Sequence, residues 1–221
     1  ATGNTVLICI QIDDLFTATT EADGWFKETT ATYNGSCDLT YVPDDNFEDY
    51  LETHDAAGTV VNLGDATSMG DGLMNNFVPT NIINTISDLD VSNLVIGDLT
   101  GIEDFIALQT LNCTGNNLAL LNLSTNVALE TLDCSGNSLT SLNLNTNIAL
   151  TSLVCSSNQI VSLDLSANTN LVTFNCANNK LLGLDLSFNA ALTDIDVSNN
   201  ALISLNIKNG ANPVITAFDA T

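Results

Sequence analysis

The apolar residues of this chain recur every 21 residues over its C-terminal half. Consecutive units share the pattern LxxLxCxxNxLxxLxLxxNxx and begin at Leu108, Leu129, Leu150, Leu171 and Leu192. The L-x-C and L-x-L triplets alternate apolar and polar positions, which is typical of short strands with one buried face. Such a unit cannot bury its apolar side alone, so it stacks on neighbours about 4.8 Å away. The pattern therefore predicts a β-rich solenoid of 21-residue coils.

Two columns of asparagine mark the corners of each predicted coil. An asparagine side chain both donates and accepts hydrogen bonds, so it can satisfy backbone groups that a turn leaves unpaired. The first column is Asn116, Asn137, Asn158, Asn179 and Asn200, and the second is Asn126, Asn147, Asn168 and Asn189. We expect both columns to form hydrogen-bond ladders, at two corners of every coil.

Another column contains Cys113, Cys134, Cys155 and Cys176, and valine replaces cysteine at Val197. Free cysteine behaves as a small buried apolar residue, which agrees with the replacement by valine. Parallel side chains stacked one coil apart have poor geometry for a disulfide, and the spacing matches no zinc motif. We interpret this column as a ladder of buried free thiols.

The repeat pattern resembles that of leucine-rich repeat proteins, and the resemblance covers residues 86–212. The preceding stretches, YVPDDNFEDYLETH and then ISDLDVSNLVIGDLTGIEDFIAL, are similar to the start of internalin-like repeat arrays in bacterial surface proteins. The resemblance implies a short helical cap before a first coil of 22 residues that begins at Ile86. Asp44 and Asp45 suit the N-cap and first turn of this helix, and its apolar stripe is Phe47, Tyr50 and Leu51.

Three segments follow from these patterns. Residues 1–40 are a cap or linker segment, residues 41–85 the N-terminal helical cap, and residues 86–221 the leucine-rich repeat solenoid. The final stretch NPVITAFDAT begins a further coil, in which Ile215 and Phe218 are displaced by two residues. The opening stretch offers an apolar strand and an acidic turn, as a cap on a preceding array would. We therefore expect one period of a longer tandem protein, in which residues 1–37 close the preceding unit.

The chain is strongly acidic, with 26 Asp and Glu against three Lys and Arg, and its formal net charge is −23. This field repels phosphate backbones and anionic lipid headgroups, which argues against binding to nucleic acid or to a membrane surface. No apolar run approaches the roughly 20 residues that a membrane span requires. An acidic, lysine-poor surface suits salty water, where charges are strongly screened. We interpret the chain as an extracellular or cell-surface protein of a marine bacterium.

Cys9 and Cys37 stand apart from the thiol column, and they flank an irregular stretch with little core of its own. We expect them to form a disulfide, in keeping with an oxidising compartment. Asp65 and Asp71 lie in NLGDATSMGDG, whose carboxylate and carbonyl oxygens are of the kind that Ca²⁺ takes. Because the EF-hand spacing is absent, an ordinary glycine-rich turn is the favoured alternative, and no other cofactor is expected.

Catalysis finds little support in the sequence. His54 is the single histidine and follows the predicted cap helix, and no glycine-rich phosphate loop is present. We expect His54 to be an exposed helix-end residue, and the protein not to be an enzyme.

The remaining functional candidate is the outward face of the strands, which includes Asn112, Asp133, Asn175 and Asp196. Binding surfaces usually contain Tyr, Trp or Arg hot spots, and this face has none. The sequence therefore predicts a structural or adhesive repeat module of a large secreted surface protein or filament, stacked on adjacent copies of itself. The alternative is a recognition domain whose strand face binds a glycan or a protein partner.

Overall fold

The computed structural model of the protein describes residues 38–208, residue 210 and the backbone of residues 217–219. The chain divides into two compact units, residues 1–39 and residues 40–221, and nearly all described residues belong to the second. The predicted disulfide between Cys9 and Cys37 lies outside the described residues.

The described part of the chain contains two short α-helices, a 3-10 turn and eleven three-residue strands joined by turns. Helix α1 spans Asp45–Thr53 and α2 spans Thr80–Ile83, and a 3-10 turn spans Ile102–Asp104. The strands are β1 Leu39–Tyr41, β2 Phe77–Pro79, β3 Asp88–Asp90, β4 Thr110–Asn112, β5 Thr131–Asp133, β6 Ser152–Val154, β7 Thr173–Asn175, β8 Gly183–Asp185, β9 Asp194–Asp196, β10 Ser204–Asn206 and β11 Ala217–Asp219.

Helix α1 begins where the sequence predicts a cap, and Asp44 joins it to the first coil. One carboxylate oxygen of Asp44 accepts from the backbone N–H groups of Asn46 and Phe47, at 3.1 and 3.2 Å, as an N-cap residue does. The other oxygen accepts from the N–H groups of Gly97 and Asp98, at 2.8 and 3.1 Å. The apolar stripe of the helix is buried, and one aspartate links the cap to the coil stack.

Two buried carboxylates of α1 hold the loop that precedes β2. Glu52 accepts from the backbone N–H groups of Asp71 and Gly72, at 2.8 and 2.5 Å, and Glu48 accepts from those of Asn75 and Asn76. Glu52 is fully buried, and burial raises the pKa of its carboxyl group. Backbone donors replace the water that each carboxylate loses, which makes its burial tolerable.

A parallel sheet runs along one side of the coil stack, in the order β11-β9-β7-β6-β5-β4-β3. The central residue of each triplet from β3 to β9 is buried, as the alternating pattern predicts. Asp88 pairs with Thr110, so the first coil has the expected 22 residues. Phe218 pairs with Ile195, so β11 continues the sheet beyond the last full repeat.

The expectation of a second strand in every coil was wrong. On the opposite side of the stack, the structure describes strands at only two L-x-L triplets, where β8 pairs with β10. Glycine at position 183 explains this close pairing, because a Cβ there would lie 2.8 Å from Ser204 Oγ. The equivalent residues of earlier coils, Leu120, Ser141 and Ser162, all have side chains. These coils keep their buried leucines on this side without a backbone ladder.

The side chains of the first asparagine column form hydrogen bonds between each coil and the one before it. The Nδ2 group of Asn158 donates to the carbonyl of Cys134 in the preceding coil, at 3.0 Å, and to that of Cys155 in its own coil, at 3.2 Å. Its Oδ1 accepts from the backbone N–H of Leu139 at 2.9 Å. The same bonds recur at Asn116, Asn137, Asn179 and Asn200.

The second asparagine column uses its donors more than its acceptors. The Nδ2 group of Asn147 donates to the carbonyls of Leu123 and Asn126 in the preceding coil, both at 2.9 Å. Its Oδ1 is buried and accepts no hydrogen bond from the residues that the structure describes, and the same is true of Asn126 and Asn168. Asn126, Asn147 and Asn168 therefore use the donor end of the amide alone among the described residues, whereas the first column uses both ends.

One corner of each coil requires a left-handed backbone. Gly115 and Gly136 meet this requirement with φ values of 68° and 65°. Asn93, Asn178 and Asn199 occupy the same position in other coils, and asparagine tolerates this conformation. Ser157, with a φ of 55°, is the exception, and its conformation costs about 1 kcal/mol.

The cysteine column lies inside the stack as four free, buried thiols. Burial and, to a smaller extent, the charge of Asp133 raise the pKa of Cys113 to about 12. The pKa of Cys155 is well above its usual value because its thiol hydrogen-bonds to Cys176 and is buried. Val91 and Val197 occupy the equivalent buried positions before and after the four cysteines. The thiols therefore pack as small apolar groups.

We predict that Asn158→Asp destabilises the protein by about 3 kcal/mol or more, because a buried carboxylate would face carbonyl oxygens and could not donate. The matched control is Asn175→Asp. Position 175 points outward, and aspartate occupies the equivalent position in other coils, as Asp133 and Asp196. This variant should change the free energy of unfolding by less than about 0.5 kcal/mol. Urea unfolding measures both variants. If both variants lost the same free energy of unfolding, the structural role of the asparagine hydrogen bonds would be contradicted.

We predict that the four thiols react with iodoacetamide at mildly alkaline pH at least about a hundredfold more slowly in the folded protein than in concentrated guanidinium chloride. The reactive species is the thiolate. The raised pKa of Cys113, Cys134 and Cys155 keeps the thiolate population small at these three positions, and burial shields all four thiols from the reagent. Peptide mapping by mass spectrometry resolves each cysteine. Rapid labelling of Cys134 or Cys155 in the folded protein would show that the column is open to solvent.

Candidate functional site

The outward side chains of the parallel sheet form a continuous polar surface, which we call the strand face. The first and third residues of each strand point outward, while the second is buried. The strand face comprises Asp88, Asp90, Thr110, Asn112, Thr131, Asp133, Ser152, Val154, Thr173, Asn175, Asp194 and Asp196. The residues predicted for a binding face, Asn112, Asp133, Asn175 and Asp196, all lie in the third-position column.

The third-position residues also end their strands. An oxygen of Asp133 accepts from the backbone N–H of Ser135 at 2.9 Å, and Asn175 accepts from that of Ala177 at 3.0 Å. Asp90, Asn112 and Asp196 make the same turn. Because aspartate and asparagine both close this turn, the two residue types alternate freely along the column. One oxygen of each of these side chains thus has a structural role, and Asp90 Oδ2 also accepts from Asn112 Nδ2 at 3.1 Å.

The sequence analysis missed the first-position column, which is Asp88, Thr110, Thr131, Ser152, Thr173 and Asp194. These residues precede the third-position column by two, so the period of a strand would have placed them on the same face. The Thr173 hydroxyl donates to Ser152 Oγ at 2.8 Å. The strand face is therefore two side chains wide, and the hydroxyl groups of Ser152 and Thr173 join two consecutive coils across it.

The strand face is acidic and contains no aromatic or basic residue among the residues just named. Its carboxylates are Asp88, Asp90, Asp133, Asp194 and Asp196. Hydrogen bonds from the hydroxyls of Ser87 and Thr110 lower the pKa of Asp88, so it remains ionised at neutral pH. Lys180, a described lysine, lies elsewhere and donates to Gln159 Oε1 at 3.1 Å. The strand face as defined here therefore contains carboxylates and no lysine.

A cleft of about 450 Å³ lies where the strand face meets the cap. Tyr50 of α1 and Asp55 of the following turn line one wall, and Asp88, Asp90 and Asn112 of β3 and β4 line the other. Burial raises the pKa of Tyr50, and the charges of Asp90 and Asp55 raise it further. The sequence analysis assigned Tyr50 to the apolar stripe of the helix and missed this cleft.

His54 supports Tyr50 and is not free at a helix end. Its ring stacks on the Tyr50 ring with centroids 4.0 Å apart, and its Nδ1 lies 2.9 Å from the Tyr50 carbonyl oxygen. The side chain is only half-buried. The expectation of an exposed histidine was therefore wrong, because helix α1 ends with the two rings in contact.

The two aspartates considered for calcium each close their own turn. Asp65 Oδ1 accepts from the backbone N–H and the hydroxyl of Thr67, at 2.9 and 2.7 Å, and these bonds lower the pKa of Asp65. Asp71 Oδ1 accepts from the N–H of Leu73 at 2.9 Å. Within the described ranges, no three His, Cys, Asp or Glu side chains converge as metal ligands would. The geometry is that of the glycine-rich turn, the favoured alternative.

Among the helices that the structure describes, neither length nor apolar content reaches what a membrane-crossing helix needs.

Solved structures with this fold include bacterial leucine-rich repeat proteins. The functional domain of InlJ from Listeria monocytogenes, described as including a cysteine ladder, is 30% identical over 83% of this chain, with a TM-score of 0.69. The internalin InlF from L. monocytogenes strain 4b F2365 and a leucine-rich repeat protein of Leptospira interrogans are 21% and 20% identical over 65% of this chain, each with a TM-score of 0.55.

The chain spans less than half of each of these structures, namely 38%, 44% and 40% of their lengths. A scan against protein-family models finds no match, and a search of curated proteins finds none either. The fold nevertheless agrees with all three structures, and the internal cysteine column agrees with the cysteine ladder described for InlJ. The chain has the leucine-rich repeat fold, and its solved neighbours include internalins and other proteins with leucine-rich repeats.

Proposed function

We propose that the chain is an adhesive and structural repeat module of a larger secreted surface protein, and that it acts by binding and not by catalysis. The observation that carries the proposal is the strand face. It offers polar side chains in two rows, repeated from coil to coil on a hydrogen-bonded stack. Identical short spacings along such a surface suit a partner that is itself repetitive, such as a glycan or a polymeric protein.

The composition of the strand face favours weak, repeated contacts over one tight contact. Tight interfaces rely on a few Tyr, Trp or Arg residues in desolvated pockets. The strand face has Thr, Ser, Asn and Asp instead, and many of these groups already bond to the backbone or to each other. Adhesion by many copies gains strength through avidity, which does not need a high affinity per module.

Tandem stacking is the finer part of the proposal. Strand β11 pairs in parallel with β9, so the sheet extends past the last full repeat. A repeat stack gains stability from each neighbouring unit that packs against it. We infer that adjacent copies of the module, with residues 1–37 of one closing the stack of the other, form a long stalk.

An extracellular location fits this proposal. A net charge of −23 favours solubility. At high salt, screening weakens the repulsion between the like charges of the chain, so the folded module tolerates this charge. A disulfide between Cys9 and Cys37 would belong to the same oxidising setting.

The second candidate is a recognition domain that binds one glycan or protein partner. The cleft between the cap and the strand face favours it, because concave sites with convergent polar groups are typical of specific ligand binding.

We predict that adhesion depends on surface density. Microspheres that carry the purified chain should be retained on mucin-coated glass under flow at dense coverage, and at least about tenfold less per molecule at sparse coverage. Microspheres coated with an unrelated acidic protein are the control for charge. Equal retention at both densities, with a micromolar constant for one glycan on an array, would favour the recognition domain. No retention at either density would contradict adhesion to such surfaces.

We also predict that two copies joined end to end unfold in a single thermal transition, at a higher midpoint than one copy. The reason is that the new interface adds a stabilising term between neighbours. Two copies joined through a long glycine–serine linker are the control, because the linker keeps the ends apart. Two independent transitions at the midpoint of the single copy would contradict tandem stacking.

A further inference from the structure

The hydroxyl of Tyr50 opens into the cleft. Tyr50 as a residue is only 8% exposed, yet its hydroxyl oxygen is not among the fully buried atoms, and no described residue hydrogen-bonds to it. The oxygen lies beside Gly58, since a Cβ added there would be 3.5 Å from it, and Gly58 also lines the cleft. A ligand that reaches this oxygen can therefore bond to it without displacing a protein group.

The charges around this hydroxyl are all negative. Asp55, Asp88 and Asp90 line the cleft, and none of its lining residues is basic. Asp55 uses Oδ1 for the backbone N–H groups of Ala57 and Thr59, at 2.9 and 2.8 Å, and its Oδ2 receives no hydrogen bond from the described residues. A donor that enters the cleft therefore meets a carboxylate oxygen and a phenol oxygen.

The geometry argues for a cationic side chain over a sugar ring. Sugars stack on exposed aromatic faces, whereas the Tyr50 ring is buried and stacked on His54. A bare metal ion is also a poor fit, because three carboxylates do not converge on one point among the described residues. An ammonium or guanidinium group has several donors, which separate oxygens can share.

We propose that this cleft binds the lysine or arginine side chain of a partner protein, with Tyr50 as the hydrogen-bond acceptor and Asp55 and Asp90 as the charge partners. The inference deepens the proposed function, because it assigns a partner chemistry to one end of the strand face. The acidic field of the chain draws a basic group toward the surface, and the cleft then fixes it at one place.

The test uses the full chain and three capped tripeptides, Gly-Lys-Gly, Gly-Arg-Gly and Gly-norleucine-Gly, each titrated by NMR at low salt. The basic peptides should shift the Tyr50 ring and the amides of Ala56 and Ala57, and norleucine should not. Tyr50→Phe and Asp90→Asn should each weaken binding by about tenfold. Tyr50→Phe should also leave the unfolding midpoint nearly unchanged, because the hydroxyl has no partner to lose.

Asp133→Asn is the matched control. It removes the same charge from the equivalent position, and asparagine closes the same turn there, as Asn112 and Asn175 do. It should weaken binding less than about twofold. Loss of binding equal to that of Asp90→Asn would overturn the proposal in favour of a general field effect.

Two further outcomes would also overturn it. Equal binding of norleucine would mean apolar binding, and displacement of the peptides by Ca²⁺ at equal charge concentration would mean a metal site. Adhesion of dense microspheres without any peptide binding would leave the proposed function standing and would remove only the cleft proposal.

Discussion

The structure depends on the amide groups of one asparagine column. Each of these side chains donates to carbonyls of two consecutive coils and accepts from a backbone N–H of the preceding coil, as Asn158 does with Cys134, Cys155 and Leu139. Buried backbone groups at a corner must find partners, and a three-residue strand satisfies few of them. The asparagine satisfies the rest, and it also sets the register of each coil on the next.

That register determines what the surface can do. Because Asn158 and its equivalents repeat every 21 residues, side chains from consecutive strands stand in line. The outward residues of the strands become two polar rows, and the cysteines become an inward column. A shift of one residue in strand register would turn the buried side chains outward and the outward side chains inward. The asparagine hydrogen bonds that fix the register therefore determine the strand face as well as the core.

The cap ends the stack and creates its most distinctive site. Asp44 caps the N-terminus of α1 with one carboxylate oxygen, and its other oxygen accepts hydrogen bonds from backbone N–H groups of the first coil. Glu48 and Glu52 fasten the loop that follows, which brings the end of α1 against β3 and β4. The cleft around Tyr50 therefore combines side chains from a helix and from a sheet, whereas the remainder of the strand face is uniform.

The sequence by itself determined the coil length, the buried and outward positions, the asparagine corners and the start of the cap helix at Asp44. These features are periodic or local, so residue type and spacing reveal them. Only the tertiary structure decided which L-x-L triplets become strands, how Glu48 reaches Asn76, and that Tyr50 meets Asp90 in one cleft. The last two contacts join residues 20 or more positions apart and lie outside the repeat, so no period in the sequence encodes them. They arise from packing of the cap against one end of the stack, whereas the pairing of β8 with β10 depends on the glycine at position 183.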